Sequence, residues 1–238
     1  MNRQGNTYTV IYSVALVLIV GVVLSLIYQA LRPTQVDNIA NDTRKQILAA
    51  ARIVPSESES VSELYREHIV ASYIVNSEGQ IIDSGKDAFD INVAQEVKKP
   101  AAERELPVYE CKTTSGLKYI LPVYGAGLWG PIWGYVAFDD NGDTIYGAYF
   151  AHEGETPGLG AEIEKPAFSD QFEGKNIFNK EGRFTSVAVV KAGQKPNEGD
   201  YVNAVSGGTI TSQGVQRMLA NSLEPYSAFL KNLNAQNK

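Results

Sequence analysis

A run of small and hydroxylated residues near the carboxyl terminus is the part of this sequence that could best support chemistry. Residues 205–212 read V-S-G-G-T-I-T-S. The paired glycines let a large group approach the backbone, and the pattern predicts an exposed Thr209 hydroxyl before a helix that begins at residues 211–213, with Thr211 or Ser212 as its cap. The free N–H groups at a helix start suit a phosphate. So short a motif is weak alone, and an ordinary loop is the alternative.

Two further loops are rich in glycine. Residues 153–160 read E-G-E-T-P-G-L-G and follow a predicted strand, and residues 125–134 read G-A-G-L-W-G-P-I-W-G. Such loops supply backbone amides and room for a flat ligand. A long turn is the alternative for the first loop, because glycine and proline are common loop residues. The chain also contains the run at residues 205–212, which we call the Thr209 loop, and all three loops are found together in one protein family.

An apolar segment near the amino terminus predicts a membrane anchor. Residues 8–28 contain no charged side chain, and about twenty such residues are enough to cross a bilayer as a helix. Tyr8, Tyr12 and Tyr28 lie near its ends, where aromatic rings sit at the level of the lipid headgroups. A signal peptide is the alternative, but its apolar core is usually shorter, and residues 28–30 form a poor cleavage site. The flanking charges do not decide the orientation of the anchor.

Composition argues against several kinds of partner and site. The net charge is −6 and no basic run has interleaved aromatics, so we expect no nucleic-acid partner. Cys111 is the single cysteine, which excludes an internal disulfide and a cysteine-rich metal cluster. His68 and His152 have no metal-ligand spacing, and we expect no metal site. No G-x-G-x-x-G motif follows a strand and opens a helix, so we expect no nicotinamide site.

The middle of the chain predicts antiparallel strands. Apolar runs at residues 73–75 and 80–82 flank the turn N-S-E-G, which is typical of a hairpin. The hairpins around Gly79 and Gly142 have the same form, either as a distant internal repeat or as common hairpin chemistry. Because the connections are of hairpin length, neighbouring strands should pair antiparallel. The further predicted strands are residues 106–110, 118–124, 132–139 and 144–152.

The last part of the chain predicts one more strand and a long helix. Residues 185–191 have the pattern of a buried strand, and residues 193–199 that of a loop. Apolar residues at helical spacing from Ser212 onwards predict a C-terminal helix with one buried face and a kink at Pro225. The fold class is therefore α+β, with one N-terminal transmembrane helix followed by a domain of mixed, mainly antiparallel β-sheet and flanking helices.

Three motifs and the anchor together match one protein family. The motifs are G-L-W-x-x-x-x-G-Y at residues 127–135, G-E-T-P-G-L-G at residues 154–160 and S-G-x-T-x-T-S at residues 206–212. With them the chain resembles, over nearly its entire length, the C subunit of the sodium-translocating NADH:quinone reductase, a bacterial respiratory complex. The G subunit of the Rnf-type ferredoxin:NAD oxidoreductase is similar and is the alternative. The strand-rich insert and the sequence T-I-T-S-Q-G-V-Q at residues 209–216 favour the first of these two families.

The resemblance implies a covalent cofactor. In the family, the threonine that matches Thr209 carries FMN through a phosphoester bond, which a separate flavin transferase installs. Thr209 is then a modified residue and no residue of this chain is catalytic. The resemblance further implies that Trp129 stacks on the flavin and that Lys191 favours its anionic form. The remaining expected cofactor-binding residues are Ser206, Gly207, Gly208, Thr211, Glu155, Thr156 and Leu159.

The sequence departs from the family pattern at two positions. The family usually has alanine where this chain has Gly208, a change that removes one methyl group and loosens the loop. An aspartate commonly stands six residues before the modified threonine, and this chain has Asn203 there, with Asp200 three residues further upstream. If that carboxylate helps the transferase to bind, attachment is slower here or uses Asp200 instead.

The resemblance implies a function in electron transfer. The chain relays single electrons from an iron–sulfur centre to the next flavin, in the B subunit, so that quinone reduction drives sodium export elsewhere in the complex. Its expected partners are the B subunit, the iron–sulfur D and E subunits, the flavin transferase and the lipid bilayer. Because the transferase works outside the cytoplasm, the domain should lie on the periplasmic side of the inner membrane.

The expected organisation has four segments. A short cytoplasmic tail spans residues 1–7, the transmembrane helix 8–31, a helix and connector 32–62, and the extracytoplasmic FMN-binding domain 63–238. A function of a different class stays open for the same architecture. The chain can be a non-catalytic, membrane-anchored scaffold that binds flavin without taking part in electron flow, and covalent flavin on Thr209 would distinguish the two.

Overall fold

The structure is a computed structural model that describes residues 5–56 and 58–236. By contacts within the chain it divides into two compact units, with the boundary between Thr43 and Arg44. Part of the predicted cytoplasmic tail at residues 1–7 lies outside the described residues. The first unit is helical, and the second contains all of the strands described below.

One helix, α1 (Asn6–Ala50), contains the apolar segment and continues beyond it. Its most apolar 18-residue window is unburied and is long and apolar enough to cross a membrane. Pro33 lies inside this helix. Because proline has no backbone N–H group, one helical hydrogen bond is missing there. The helix expected after residue 32 is therefore continuous with the anchor. Its last turns belong to the second unit, where Ile47 and Leu48 are fully buried.

A six-stranded antiparallel sheet forms the centre of the second unit, as the hairpin-length connections predicted. The strand order is β2-β1-β3-β4-β5-β6, so all neighbours except β1 and β3 are also consecutive in the chain. Short turns at the predicted glycines join most of these strands. The strands are β1 (Ile69–Val75), β2 (Ile81–Ile82), β3 (Leu106–Thr113), β4 (Gly116–Ala126), β5 (Pro131–Phe138) and β6 (Ile145–His152).

Both faces of this sheet are covered, because side chains alternate between its two sides. Val108 and Leu121 belong to a large apolar cluster that includes the C-terminal helices. Their neighbours Tyr109 and Ile120 belong to a second cluster on the other side, together with Ile47 of α1. Both faces of the sheet are thus buried, and the end of the anchor helix is part of the fold of the second unit.

The C-terminal helices follow the predicted pattern, including its interruption. Helix α5 (Thr209–Leu223) ends in a 3₁₀ turn, Glu224–Tyr226, and α6 (Ser227–Gln236) follows directly. Pro225 lies in that turn, where its missing N–H group ends the α-helical bonding. The remaining helices are α2 (Val61–His68), α3 (Val93–Glu96) and α4 (Pro166–Ser169).

A small second sheet leads to the Thr209 loop. Strand β7 (Ala188–Val190) is shorter than the predicted strand at residues 185–191, and it pairs in parallel with β8 (Tyr201–Asn203). The prediction did not include β8, because a strand of three residues after a polar loop is too short to show an alternating apolar pattern. The backbone N–H of Ala204 donates to the carbonyl of Val190 at 2.7 Å, so this pairing continues towards the loop.

The turn glycine Gly142 gives a test of this packing. It has a φ of +65°, and a Cβ there would overlap the backbone of Leu230 in α6. Gly85 has a similar φ of +68° with nothing within 4 Å, so it is a matched control for backbone strain alone. We expect Gly142→Ala to lower the free energy of unfolding by about 1–3 kcal/mol more than Gly85→Ala does. Urea unfolding of both variants measures the difference, and equal losses would contradict this packing.

Candidate functional site

Thr209 is the first residue of α5, and its side chain is exposed. Gly208 occupies the N-cap position without a side-chain hydrogen bond, and its carbonyl accepts from the backbone N–H of Ser212 at 2.9 Å. The predicted helix start at residues 211–213, with Thr211 or Ser212 as cap, is therefore wrong. The helix begins earlier because the N-cap carbonyl of a glycine can start the bonding without any capping side chain.

The other two hydroxyls of the first helical turn point into the protein. Thr211 and Ser212 are each 1% exposed. The Thr211 hydroxyl donates to a carboxylate oxygen of Glu155 at 2.5 Å, and the Ser212 hydroxyl accepts from the backbone N–H of Val205 at 3.0 Å. The Thr209 hydroxyl is therefore the one in this turn that faces solvent.

The start of α5 has the features of an anion site. The backbone N–H groups of Thr209, Ile210 and Thr211 precede the first helical bond, which Ser212 makes. The first turn contains no acidic residue of its own, and the one carboxylate bonded to it in the described part of the chain, that of Glu155, accepts from the Thr211 hydroxyl on the buried side. Gly207 precedes this turn with a φ of +75°, a backbone angle that glycine adopts without strain.

A buried carboxylate joins this helix to the two other predicted loops. Glu155, in the loop after β6, is 4% exposed. One of its oxygens accepts from the backbone N–H groups of Leu128 and Trp129, both at 2.8 Å, and the other accepts from Thr211. Burial raises the pKa of Glu155, but the hydrogen bond from Thr211 and the two backbone donors outweigh burial and hold that pKa below its ordinary value of 4.5. The group is therefore an ionised carboxylate at neutral pH.

Two glycines make room for this carboxylate. A Cβ at Gly127 would overlap one oxygen of Glu155. A Cβ at Gly160 would overlap the other oxygen and lie 2.5 Å from the Thr211 hydroxyl. These glycines therefore serve close packing around Glu155, which the sequence motifs did not reveal.

The loop after β6 is held from its other side by a histidine. The backbone N–H of Glu155 donates to Nδ1 of His152 at 3.1 Å. The Nε2 atom of this ring lies 3.5 Å from a carboxylate oxygen of Glu164. His152 is thus part of the support of the loop, and among the described residues no group of three or more possible metal ligands occurs.

Four apolar side chains on the loops joined by Glu155 and on the first turn of α5 are exposed, and we call them the apolar rim. Leu159 contacts the Thr209 loop, since a Cβ on Gly207 would lie 2.6 Å from its Cδ2 atom. Trp129 is 69% exposed although its backbone is fixed by Glu155. Of the rim residues, Leu128 and Ile210 were not predicted. The apolar rim consists of Leu128, Trp129, Leu159 and Ile210.

The other predicted site residues lie around the same loops. Ser206 and Thr156 are exposed, and Gly208 is buried, with the Leu159 carbonyl 3.2 Å from the place of a Cβ. Lys191 is exposed and directly follows β7, whose partner strand leads into the Thr209 loop. The Lys191 side chain forms no hydrogen bond or ion pair among the described residues.

The two positions that depart from the family pattern differ in their surroundings. Asp200 accepts the backbone N–H of Asn176 at 2.7 Å, so its carboxylate supports the fold. Asn203 is exposed, and its backbone N–H donates to the side chain of Gln171 at 2.9 Å. Position 203 is therefore exposed at the end of β8, before the Thr209 loop in the chain, whereas the carboxylate of Asp200 is used in a hydrogen bond that supports the fold.

Comparison with known proteins places this site in a known domain. Residues 127–224 match the model of the FMN-binding domain family. This segment includes β5, β6, the buried Glu155 and the Thr209 loop. The chain is also 32% identical over 230 residues to the C subunit of the Na(+)-translocating NADH-quinone reductase of Vibrio anguillarum, covering 90% of this chain and 89% of that protein.

Solved structures agree with this match. The crystal structure of the C subunit of the Na(+)-translocating NADH-quinone reductase from Parabacteroides distasonis is 48% identical in sequence, with a TM-score of 0.78 over 84% of this chain and 96% of that one. The crystal structure of NqrC from Shewanella oneidensis is 26% identical, with a TM-score of 0.68 over 82% and 98% of the two chains. As its motifs predicted, the chain therefore belongs to the family formed by the C subunits of the Na(+)-translocating NADH-quinone reductases.

Proposed function

We propose that this chain is the covalent-FMN electron-transfer subunit of a membrane-bound, sodium-translocating NADH:quinone oxidoreductase, with FMN esterified to Thr209. The observation that carries the proposal is an exposed threonine hydroxyl at the start of a helix whose first N–H groups have no hydrogen-bond partner in the described part of the chain. The match to the FMN-binding domain family supports FMN as the cofactor. The covalent bond and the electron relay are part of the proposal.

The start of α5 suits the phosphate of FMN. Thr209 and Ile210 are exposed, and their N–H groups, which make no hydrogen bond within the described residues, can donate to phosphate oxygens. The helix dipole favours the negative charge of those oxygens. Gly208, as a small N-cap residue, leaves the approach to Thr209 open. Because Thr211 and Ser212 are buried and hydrogen-bonded, the flavin transferase can reach the Thr209 hydroxyl and not theirs.

The apolar rim suits the ring of the same cofactor. Trp129 and Leu159 offer exposed apolar surface, and such surface favours a flat aromatic ligand. Lys191 supplies a positive charge that favours an anionic ring. When bound, FMN provides the one-electron chemistry that the side chains of this protein lack. The chain itself binds, orients and partly shields the cofactor.

Glu155 acts as a positioning residue in this proposal. Burying its carboxylate is unfavourable unless hydrogen bonds compensate, and three donors from two other parts of the chain do so. Bonds to a charged group contribute about 1.5–3 kcal/mol each. Glu155 thereby holds the backbone of Trp129 and the first turn of α5 at a fixed separation, so the binding surface is formed before the cofactor arrives.

The surroundings of the domain complete the proposal. Helix α1 anchors the chain as a single-pass membrane protein, and the domain lies on the periplasmic side of the inner membrane, where the flavin transferase works. Electrons arrive from an iron–sulfur centre that the D and E subunits hold, and pass to a flavin in the B subunit. Sodium export occurs in other subunits. The relatives are named as parts of a reductase, which supports membership in such a complex.

The covalent bond is tested by substitution of the threonine. We expect Thr209→Ala to abolish in-gel flavin fluorescence of the denatured protein from a host with the transferase, because no hydroxyl is left to esterify. Thr209→Ser should keep a fluorescent band, and Thr114→Ala, an exposed threonine in another turn, should equal the wild type. A fluorescent Thr209→Ala protein would contradict the proposal, and a wild type without fluorescence would favour the non-catalytic scaffold.

The positioning role of Glu155 is tested by removing its charge. Glu155→Gln should lower the free energy of unfolding by about 1–2 kcal/mol at pH 7, because bonds to a neutral amide are weaker. Since the pKa of Glu155 is lowered on folding, its contribution is present above about pH 4.5 and is lost as the pH falls through the lowered value. The difference from the wild type should therefore shrink in acid. Urea unfolding of the wild type and of Glu155→Gln, at pH 7 and below about pH 4.5, measures this difference in the free energy of unfolding.

Glu153→Gln is the matched control for this measurement. Glu153 lies in the same loop and is exposed, and we expect its substitution to change the free energy of unfolding by less than about 0.5 kcal/mol. Equal effects of the two substitutions, or a loss in Glu155→Gln that stays constant with pH, would contradict the role of the buried carboxylate.

A further inference from the structure

An open pocket lies beside the Trp129 loop and away from Thr209. Its volume is about 760 Å³, and it is bounded by the loop between β4 and β5, by the segment that contains Lys98 and Arg104, and by the end of α5. Trp129 is the one predicted flavin contact among its lining residues. The pocket is therefore adjacent to the proposed flavin site and distinct from the Thr209 loop.

Two cations face this pocket without a carboxylate partner. The Arg104 guanidinium donates to the carbonyls of Val97, Lys99 and Asn221, each at 2.9 Å. Three of its five N–H groups are thus used and two are left. Neither Arg104 nor the exposed Lys98 forms an ion pair in the described part of the chain. Of the described residues that line the pocket, Glu224 is the one carboxylate, and it forms no ion pair with either cation.

Apart from Asn221 and Glu224, the rest of the wall is apolar and aromatic. Tyr124, Pro131 and Pro225 line the pocket together with Trp129, whose backbone is held by Glu155. Arginine, tyrosine and tryptophan are the residues that dominate protein–protein binding sites. The Trp129 side chain is also part of the apolar rim, so the pocket and the rim form one continuous exposed surface.

We propose that this pocket docks an acidic segment of a neighbouring subunit of the complex. Carboxylates of the segment would pair with Lys98 and Arg104, and an apolar side chain would pack against Trp129. The inference rests on the proposed function, because an electron-transfer partner has to come close to the flavin. A protein segment is the occupant that fits, since the pocket is open and continues into exposed apolar surface that a partner would cover.

The proposal is tested in the assembled complex from the native host. Lys98→Glu reverses one charge, and Ala101→Glu adds a carboxylate to the exposed lining. We expect both to lower co-purification of the other subunits with a tagged chain by about tenfold, and to lower the rate of NADH-driven quinone reduction with it. Covalent flavin fluorescence should stay unchanged. Ala101→Lys controls for side-chain size at the same position, and Lys195→Glu controls for reversal of an exposed charge elsewhere; both should equal the wild type.

Three results would overturn the docking site. One is that Lys98→Glu co-purifies with the other subunits as well as Lys195→Glu does. Another is that quinone reduction falls while co-purification equals that of the wild type at both low and high salt. This result would indicate a small anionic ligand in the pocket. The third is that Lys98→Glu loses covalent flavin, which assigns the pocket to flavin attachment. Failure of the proposed function is visible separately, as a wild-type chain without covalent flavin.

Discussion

The buried carboxylate of Glu155 is the constraint on which the site depends. Its charge is stable inside the protein because two backbone N–H groups and the Thr211 hydroxyl donate to it. Gly127 and Gly160 are required around it, since a Cβ at either would overlap its oxygens. Three loops that are distant in the chain are thereby held together.

The hydrogen bond between Thr211 and Glu155 also helps to give the three hydroxyl groups of the first helical turn different roles. Thr211 holds the carboxylate and Ser212 holds Val205, so both are structural. Thr209 lies on the solvent side of the same helical turn, next to free N–H groups and the apolar rim. Two threonines two residues apart therefore have opposite surroundings. The helical period produces this difference, because residues 209 and 211 lie on opposite faces of α5.

Sequence patterns were informative where the controlling interactions are local. The turns at Gly79 and Gly142 predicted the antiparallel hairpins, and Pro225 predicted the break between α5 and α6. The predicted start of α5 was wrong, because a glycine at the N-cap has no capping side chain that would mark the position in the sequence. The role of Glu155 could not be predicted, since its donors lie 26, 27 and 56 residues away. The burial of Ile47 in the second unit likewise depends on long-range packing.

The most direct test of the central claim is a mass measurement on the peptide of residues 192–217 from native membranes. Fragmentation of this peptide locates any added group among Ser206, Thr209, Thr211 and Ser212. The account predicts the mass of one esterified FMN on Thr209 and on no other hydroxyl. An unmodified Thr209 in every copy, or flavin on one of the buried hydroxyls, would contradict it.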